Sequence, residues 1–180
     1  MALRHRTMKD AKMKRLTVLL LVVLALTSVG CGKSTKTSGP HDAGMLSLTL
    51  TDVEGRTVDM RQHLGKVVIL DFWDTWCGPC RMEIPHFVEL YSQYRGKGLE
   101  IVGVAFARQG ADAVKKFGAE YKINYTSTLF NPEAQKLFGS PTGIPTTYII
   151  DQNGKVHEKI VGYRDKAYFE QRVKSLLKLS

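Results

Sequence analysis

Cysteine is scarce here: the 180 residues hold three, and two of them, Cys77 and Cys80, form a CxxC pair. Zinc wants four ligands. With no second CxxC, with Cys31 far away and with His86 the nearest imidazole, the pair is poorly furnished for a structural zinc site. Apolar runs of membrane-spanning length are missing as well. The run "LTVLLLVVLALTSV", Leu16 to Val29, reaches about 21 Å as a helix, short of the roughly 30 Å of a bilayer core. Internal repeats are absent, and so is any basic run interleaved with aromatics beyond residue 31. The net charge of +9 therefore says little about nucleic acid. Arg4, Arg6, Lys9, Lys12, Lys14 and Arg15 stand against Asp10 near the start, which puts more than half of the excess in the first thirty residues. No nucleic-acid partner is expected.

What is present begins with that leader. A basic segment, an apolar stretch and small residues up to Gly30 read as an export signal over residues 1–30. "TSVGCGKS" resembles a bacterial lipoprotein processing site, in which Cys31 would become the lipidated first residue, although Ser28 stands where a leucine is usual. Cleavage by an ordinary signal peptidase between Ala25 and Gly30 is the competing reading and leaves Cys31 an idle thiol. Residues 31–44, rich in Gly, Ser, Thr and Lys, are expected to form a flexible tether. The expected location is the extracytoplasmic face of a bacterial cell envelope, with a lipid anchor in the membrane.

Residues 45–180 have apolar content enough for one core. Leu46, Leu48 and Leu50 alternate, "DVEGR" turns, and Val58 and Met60 alternate again, which predicts a β-hairpin over 45–60. "KVVILDFW" is a buried strand. Ile84, Phe87, Val88, Tyr91 and Tyr94 recur at helical spacing, so a helix begins at or just after Cys77 and runs to about Tyr94. Strand "LEIVGVAF", helix "ADAVKKFGAEYK", strand "YTSTLF" and helix "NPEAQKLFG" follow. "PTTYIID" and "KVHEKIV" form a hairpin around "QNGK", whose Asn153-Gly154 suits a type I′ turn. Asp165 caps a last helix carrying Phe169, Val173, Leu176 and Leu177. Alternation followed by a terminal hairpin and helix indicates an α/β class, a mixed central sheet flanked by helices.

If Cys77 sits at a helix N-terminus, Cys80 lies three residues on and on the same face, within reach of a disulfide. The unpaired N–H groups and positive dipole end of the helix favour the Cys77 thiolate, the more exposed of the two and the attacking species. Cys80 would then resolve the mixed disulfide. A purely structural disulfide stays open as an alternative, although a bridge closing so short a loop removes little unfolded-state entropy.

"DFWDTWCGPCR" resembles the active site of thioredoxins, and "GIPTTYIID" resembles the segment carrying their cis-proline. Pro85 matches the proline in their active-site helix. The added N-terminal hairpin, the βα-type insertion Arg108–Phe130 before the proline segment, and the export signal resemble the membrane-tethered TlpA/ResA-like branch. The resemblance implies a thioredoxin fold and a monomeric thiol-disulfide oxidoreductase, with no metal and no cofactor beyond the redox disulfide Cys77–Cys80. It implies disulfide-bearing protein substrates outside the cytoplasm and a transmembrane thiol-electron carrier as reductant. Apocytochrome c before haem attachment, a copper-site assembly protein and misoxidised proteins all remain open as substrates. Gly78-Pro79 between the cysteines resembles the reducing type.

The same resemblance assigns roles. Asp71 matches a buried carboxylate that would shuttle a proton to Cys80, and Glu83 would tune the thiols or simply favour the helix N-terminus. Ile144, Pro145 and Thr146 would present backbone to an extended substrate across a cis bond, and Trp76, Gly78 and Pro79 would form the exposed apolar rim. Trp73 is expected in the core, Asp74 and Arg81 in solvent. A thiol peroxidase is a rival, but it usually carries threonine where Asp74 stands. A copper chaperone of related fold, using His157, is another; its cysteines typically stand farther apart.

Overall fold

The computed structural model describes residues 47–179. The export signal of residues 1–30, the tether of 31–44 with Cys31, and the first two residues of the expected hairpin lie outside them. In chain order the strands are β1 (Thr49–Asp52), β2 (Thr57–Asp59), β3 (Val67–Trp73), β4 (Leu99–Ala105), β5 (Thr126–Leu129), β6 (Thr146–Ile150) and β7 (Val156–Val161). The helices are α1 (Gly78–Tyr94), α2 (Ala111–Glu120), α3 (Pro132–Phe138) and α4 (Lys166–Leu176). One sheet takes all seven strands in the order β2-β1-β5-β4-β3-β6-β7. β4 runs parallel to β3 and β5, while β6, β7 and the β1–β2 hairpin are antiparallel to their neighbours. This is the mixed α/β arrangement that the sequence pattern indicates. No helix among the described residues is long and apolar enough to cross a membrane.

β3 sits at the centre and is buried at every position, as are β4 and β6. Because successive side chains alternate faces, β3 feeds two cores. Val68, Leu70 and Phe72 pack with Leu48, Leu50, Met60 and Phe138, under the hairpin and α3. Val67 and Ile69 face the other way, against Phe87 and Leu90 of α1 and Phe169 of α4. Asp71 has the parity of this second face, and Trp73 follows it in a satellite core with both cysteines, Ile84 and Phe117. Strand parity thus aims Asp71 at α1. At the sheet's edges lie β2, three residues long, and β7, where His157 and Lys159 are exposed.

The β6–β7 connection departs from the expected type I′ turn. That turn needs positive φ at both central residues, but only Gly154 has it, at 81°. The reason is Asp151, whose Oδ1 accepts from the amides of Asn153 and Lys155, both at 2.9 Å. This Asx-type turn holds Gln152 and Asn153 at negative φ and leaves Gly154 as the left-handed exit residue.

Gly103 on β4 stands opposite Asp71 on β3. A Cβ there would lie 2.9 Å from Trp73 Nε1 and 3.4 Å from the Tyr125 ring. The bare backbone is what lets these two large side chains close beside the buried carboxyl. Gly103→Ala is expected to destabilise the protein by about 1–3 kcal/mol, the usual cost of overpacking, and to alter Trp73 fluorescence; chemical denaturation measures the first and emission spectra the second.

Candidate active site at the N-terminus of helix α1

The loop leaving β3 delivers Cys77 to the start of α1. Cys77 is the N-cap residue, with extended backbone (φ −79°, ψ 107°), and its Sγ accepts from the Cys80 amide at 3.2 Å. Pro79 occupies the first turn, where its missing N–H costs nothing. Cys77 and Cys80 are joined as a disulfide, Cα atoms 5.3 Å apart. The expected order of exposure holds by a small margin: Cys80 is fully buried, while Cys77 is 3% exposed and lines a groove of about 560 Å³.

The Ile144–Pro145 bond is cis. It brings the Ile144 carbonyl oxygen to 3.6 Å from Cys77 Sγ, and the Pro145 carbonyl accepts from Gly162 at 2.8 Å. Ile144 and Gly143 line the groove, whereas Thr146 is buried, its hydroxyl donating to the Gly143 carbonyl. Thr146 thus shapes the loop from behind. On the near side Gly78, Pro79 and Trp76 are exposed, Trp76 at 48%. Pro85 lies inside α1, and Trp73 is fully buried.

Two carboxyl groups, Asp71 on β3 and Glu83 on α1, are shut away from solvent. Asp71 is 1% exposed and Oδ1 accepts a single side-chain hydrogen bond, from Thr147 Oγ1 on β6 at 3.2 Å. Burial, and then the neighbouring Glu83, push its pKa well above the carboxylate range. Glu83, one turn into α1, is fully buried, with Oε1 accepting from the Arg164 amide at 2.9 Å and Oε2 unpartnered. Burial lifts its pKa to about 7, against the opposing pull of the Arg164 amide. Glu83 is therefore not a solvated helix-terminus charge; it forms with Asp71 a buried pair that cannot both ionise cheaply.

Asp74 corrects the expectation of a solvated side chain. It is fully buried, Oδ1 accepting from the Thr75 amide (2.8 Å) and Oδ2 from Trp76 Nε1 (2.9 Å) and the Arg108 amide (3.2 Å). The loop after β4 folds back over it and supplies donors that local spacing does not reveal. Arg81 is exposed as expected but not idle, since its Nε donates to the Tyr121 hydroxyl at 2.9 Å. His157 lines a different cleft, with Glu158 and Arg172, and does not meet the cysteines. Among the described residues no three His, Cys, Asp or Glu side chains gather as a metal site. The far wall of the groove, Phe106, Arg108, Phe130 and Pro141, was not singled out from the sequence. Nothing in their spacing marks them, because three separate segments converge there.

Residues 43–159 match the AhpC/TSA family. The thiol-disulfide oxidoreductase ResA of Bacillus cereus is 37% identical over 126 residues, 69% of this chain and 71% of that protein. The ResA of Geobacillus thermodenitrificans is 33% identical over 172 residues, 93% of this chain and 98% of that one. Among solved structures, a thioredoxin-family thiol:disulfide interchange protein from Chlorobium tepidum superposes with a TM-score of 0.68 at 35% identity, covering 73% of this chain and 93% of its own. With a CxxC disulfide at a helix N-terminus beside a cis-proline, and with relatives matched over most of their length, the chain belongs to the AhpC/TSA family, among its ResA-like thiol-disulfide oxidoreductases.

Proposed function

We propose that this oxidoreductase works as a reductant of protein disulfides on the extracytoplasmic side of the membrane. The observation that carries the reading is the position of Cys77, joined to Cys80 and opening on a groove between Trp76 and the Ile144 carbonyl. In the reduced protein the helix terminus favours the Cys77 thiolate. That thiolate attacks one sulfur of a substrate disulfide; a bond forms from Cys77 to it, the substrate S–S bond breaks, and the departing thiolate takes a proton. Cys80 then gives up its proton and attacks Cys77 Sγ. The mixed disulfide breaks, a second substrate thiol leaves, and the protein ends as the Cys77–Cys80 disulfide, having given two electrons. A thiol-bearing donor must restore the dithiol, and a membrane thiol carrier suits that chemistry.

Glu83, with a pKa of about 7, is suited when ionised to accept the Cys80 proton, since a group that titrates near neutrality exchanges protons best there, and Asp71, raised by burial, is the second candidate. The leader supports export, and "SVGC" supports an acyl anchor at Cys31; both readings rest on sequence alone. Gly78-Pro79 supports the reducing direction. Apocytochrome c thiols, copper-site assembly proteins and misoxidised proteins are the substrate classes proposed.

Three outcomes are expected. Cys77→Ser and Cys80→Ser should each abolish reduction of a model protein disulfide, with Cys80→Ser accumulating the mixed disulfide on gels; turnover by either variant would overturn the dithiol mechanism. Cys31→Ser should release the protein from the membrane fraction, and retention would point to an uncleaved anchor.

The third concerns pH. Asp71 and Glu83 hold protons longer in the folded than in the unfolded chain, so the native state binds more protons between the unfolded carboxyl pKa, 4.5 for Glu83, and its folded value of about 7. Stability of the oxidised protein should fall as pH rises through that window, by up to about 3 kcal/mol for Glu83. Glu83→Gln should flatten the fall, read by denaturation at several pH values, and Asp71→Asn should slow the Cys80 step near neutrality more than the Cys77 step, read by stopped flow.

A further inference from the structure

Asp74 takes no part in the chemistry above, yet it is one of the most heavily bonded side chains of the site. A buried carboxylate is costly unless donors surround it. Here the donors come from two loops: Thr75 and Trp76 before α1, and the Arg108 amide after β4. Thr75 Oγ1 adds a bond to Gln109 Oε1 at 3.0 Å, and the second loop turns through Ala107 at φ 52°. The two loops are thereby fixed to each other, and with them one wall of the groove.

That wall carries a charge. The Arg108 guanidinium lies over the Trp76 ring, 5.2 Å from its centroid. Among the residues that line the groove, Arg108 is the only charged one; Phe106, Phe130, Pro79 and Ile144 give it an apolar side, and Gln135, Ser140 and Thr142 a neutral polar one. Asp74 is engaged by three N–H donors and does not line the groove, so the charged side chain a substrate meets there is Arg108. Arg108 is exposed, and among the described residues its guanidinium takes no ion pair.

We propose that Asp74, Trp76 and Arg108 form a substrate-selecting clamp. Asp74 is a positioning residue that sets the indole and the 107–110 loop, and Arg108 selects disulfides with an acidic side chain beside the cysteine and an apolar one for the Phe106–Phe130 floor. The inference rests on the reductase reading and names the segment its groove prefers.

The test uses two synthetic peptides, each closed by one disulfide with a phenylalanine beside one cysteine, differing only in a neighbouring Glu or Lys. The reduced full chain is mixed with each in single-turnover stopped flow. The Glu peptide should half-saturate at a concentration about three- to tenfold lower. Arg108→Glu, a change at an exposed position, should reverse that order. Asp74→Asn should raise both half-saturation concentrations and shrink the difference, while the Trp76 indole N–H signal in NMR shifts and exchanges faster. Equal half-saturation of the two peptides, or an order unmoved by Arg108→Glu, would overturn the clamp. Failure to oxidise the reduced protein with either peptide at any concentration would overturn the reductase reading and the clamp together, and the missing product tells this outcome from the other.

Discussion

A carboxyl group in the middle of a fully buried strand is the constraint around which this domain is arranged. Asp71 sits between β4 and β6 with no access to water, so it must be neutral, hydrogen-bonded or both. Thr147 gives it one bond from the neighbouring strand, Gly103 leaves room beside it, and Glu83 faces it from α1. Each carboxyl raises the cost of ionising the other, so the pair stores protons where pure apolar packing would store none.

Element order was legible in the sequence because its periodicities are clean. The uninterrupted apolar run "VVILDFW" announces a strand covered on both faces, and the spacing of Ile84, Phe87, Tyr91 and Tyr94 announces the helix that follows. What the pattern could not show is pairing. That β1 joins β5 is set by contacts between segments some eighty residues apart, such as Asn131 Nδ2 donating to the Thr49 carbonyl. The turn at Asn153-Gly154 misled for a related reason: two residues nominate a turn type, but an aspartate just before them chose another.

The site divides in the same way. Cys77, Cys80, Trp76 and Pro145 lie in two short quoted stretches and could be nominated by their motif. Asp71 could be argued from its place in an apolar run. Asp74 could not, since a carboxylate two residues before an exposed tryptophan reads as solvated until a loop thirty-four residues later covers it. Arg108 is one basic residue among twenty-six lysines and arginines, distinguished only by where the chain puts it.

The sheet's two outer strands carry a consequence for a protein whose substrates are disulfide-bearing proteins. Any protein substrate that exposes unpaired backbone finds an indiscriminate template in an open strand edge. β2 is only three residues long, and β7 presents His157 and Lys159 to solvent. Neither margin is an inviting place for a foreign strand to add on. The backbone acceptor next to the Cys77 sulfur is the Ile144 carbonyl, so the place where a strand could be held without adding to the sheet is the place where the sulfur lies.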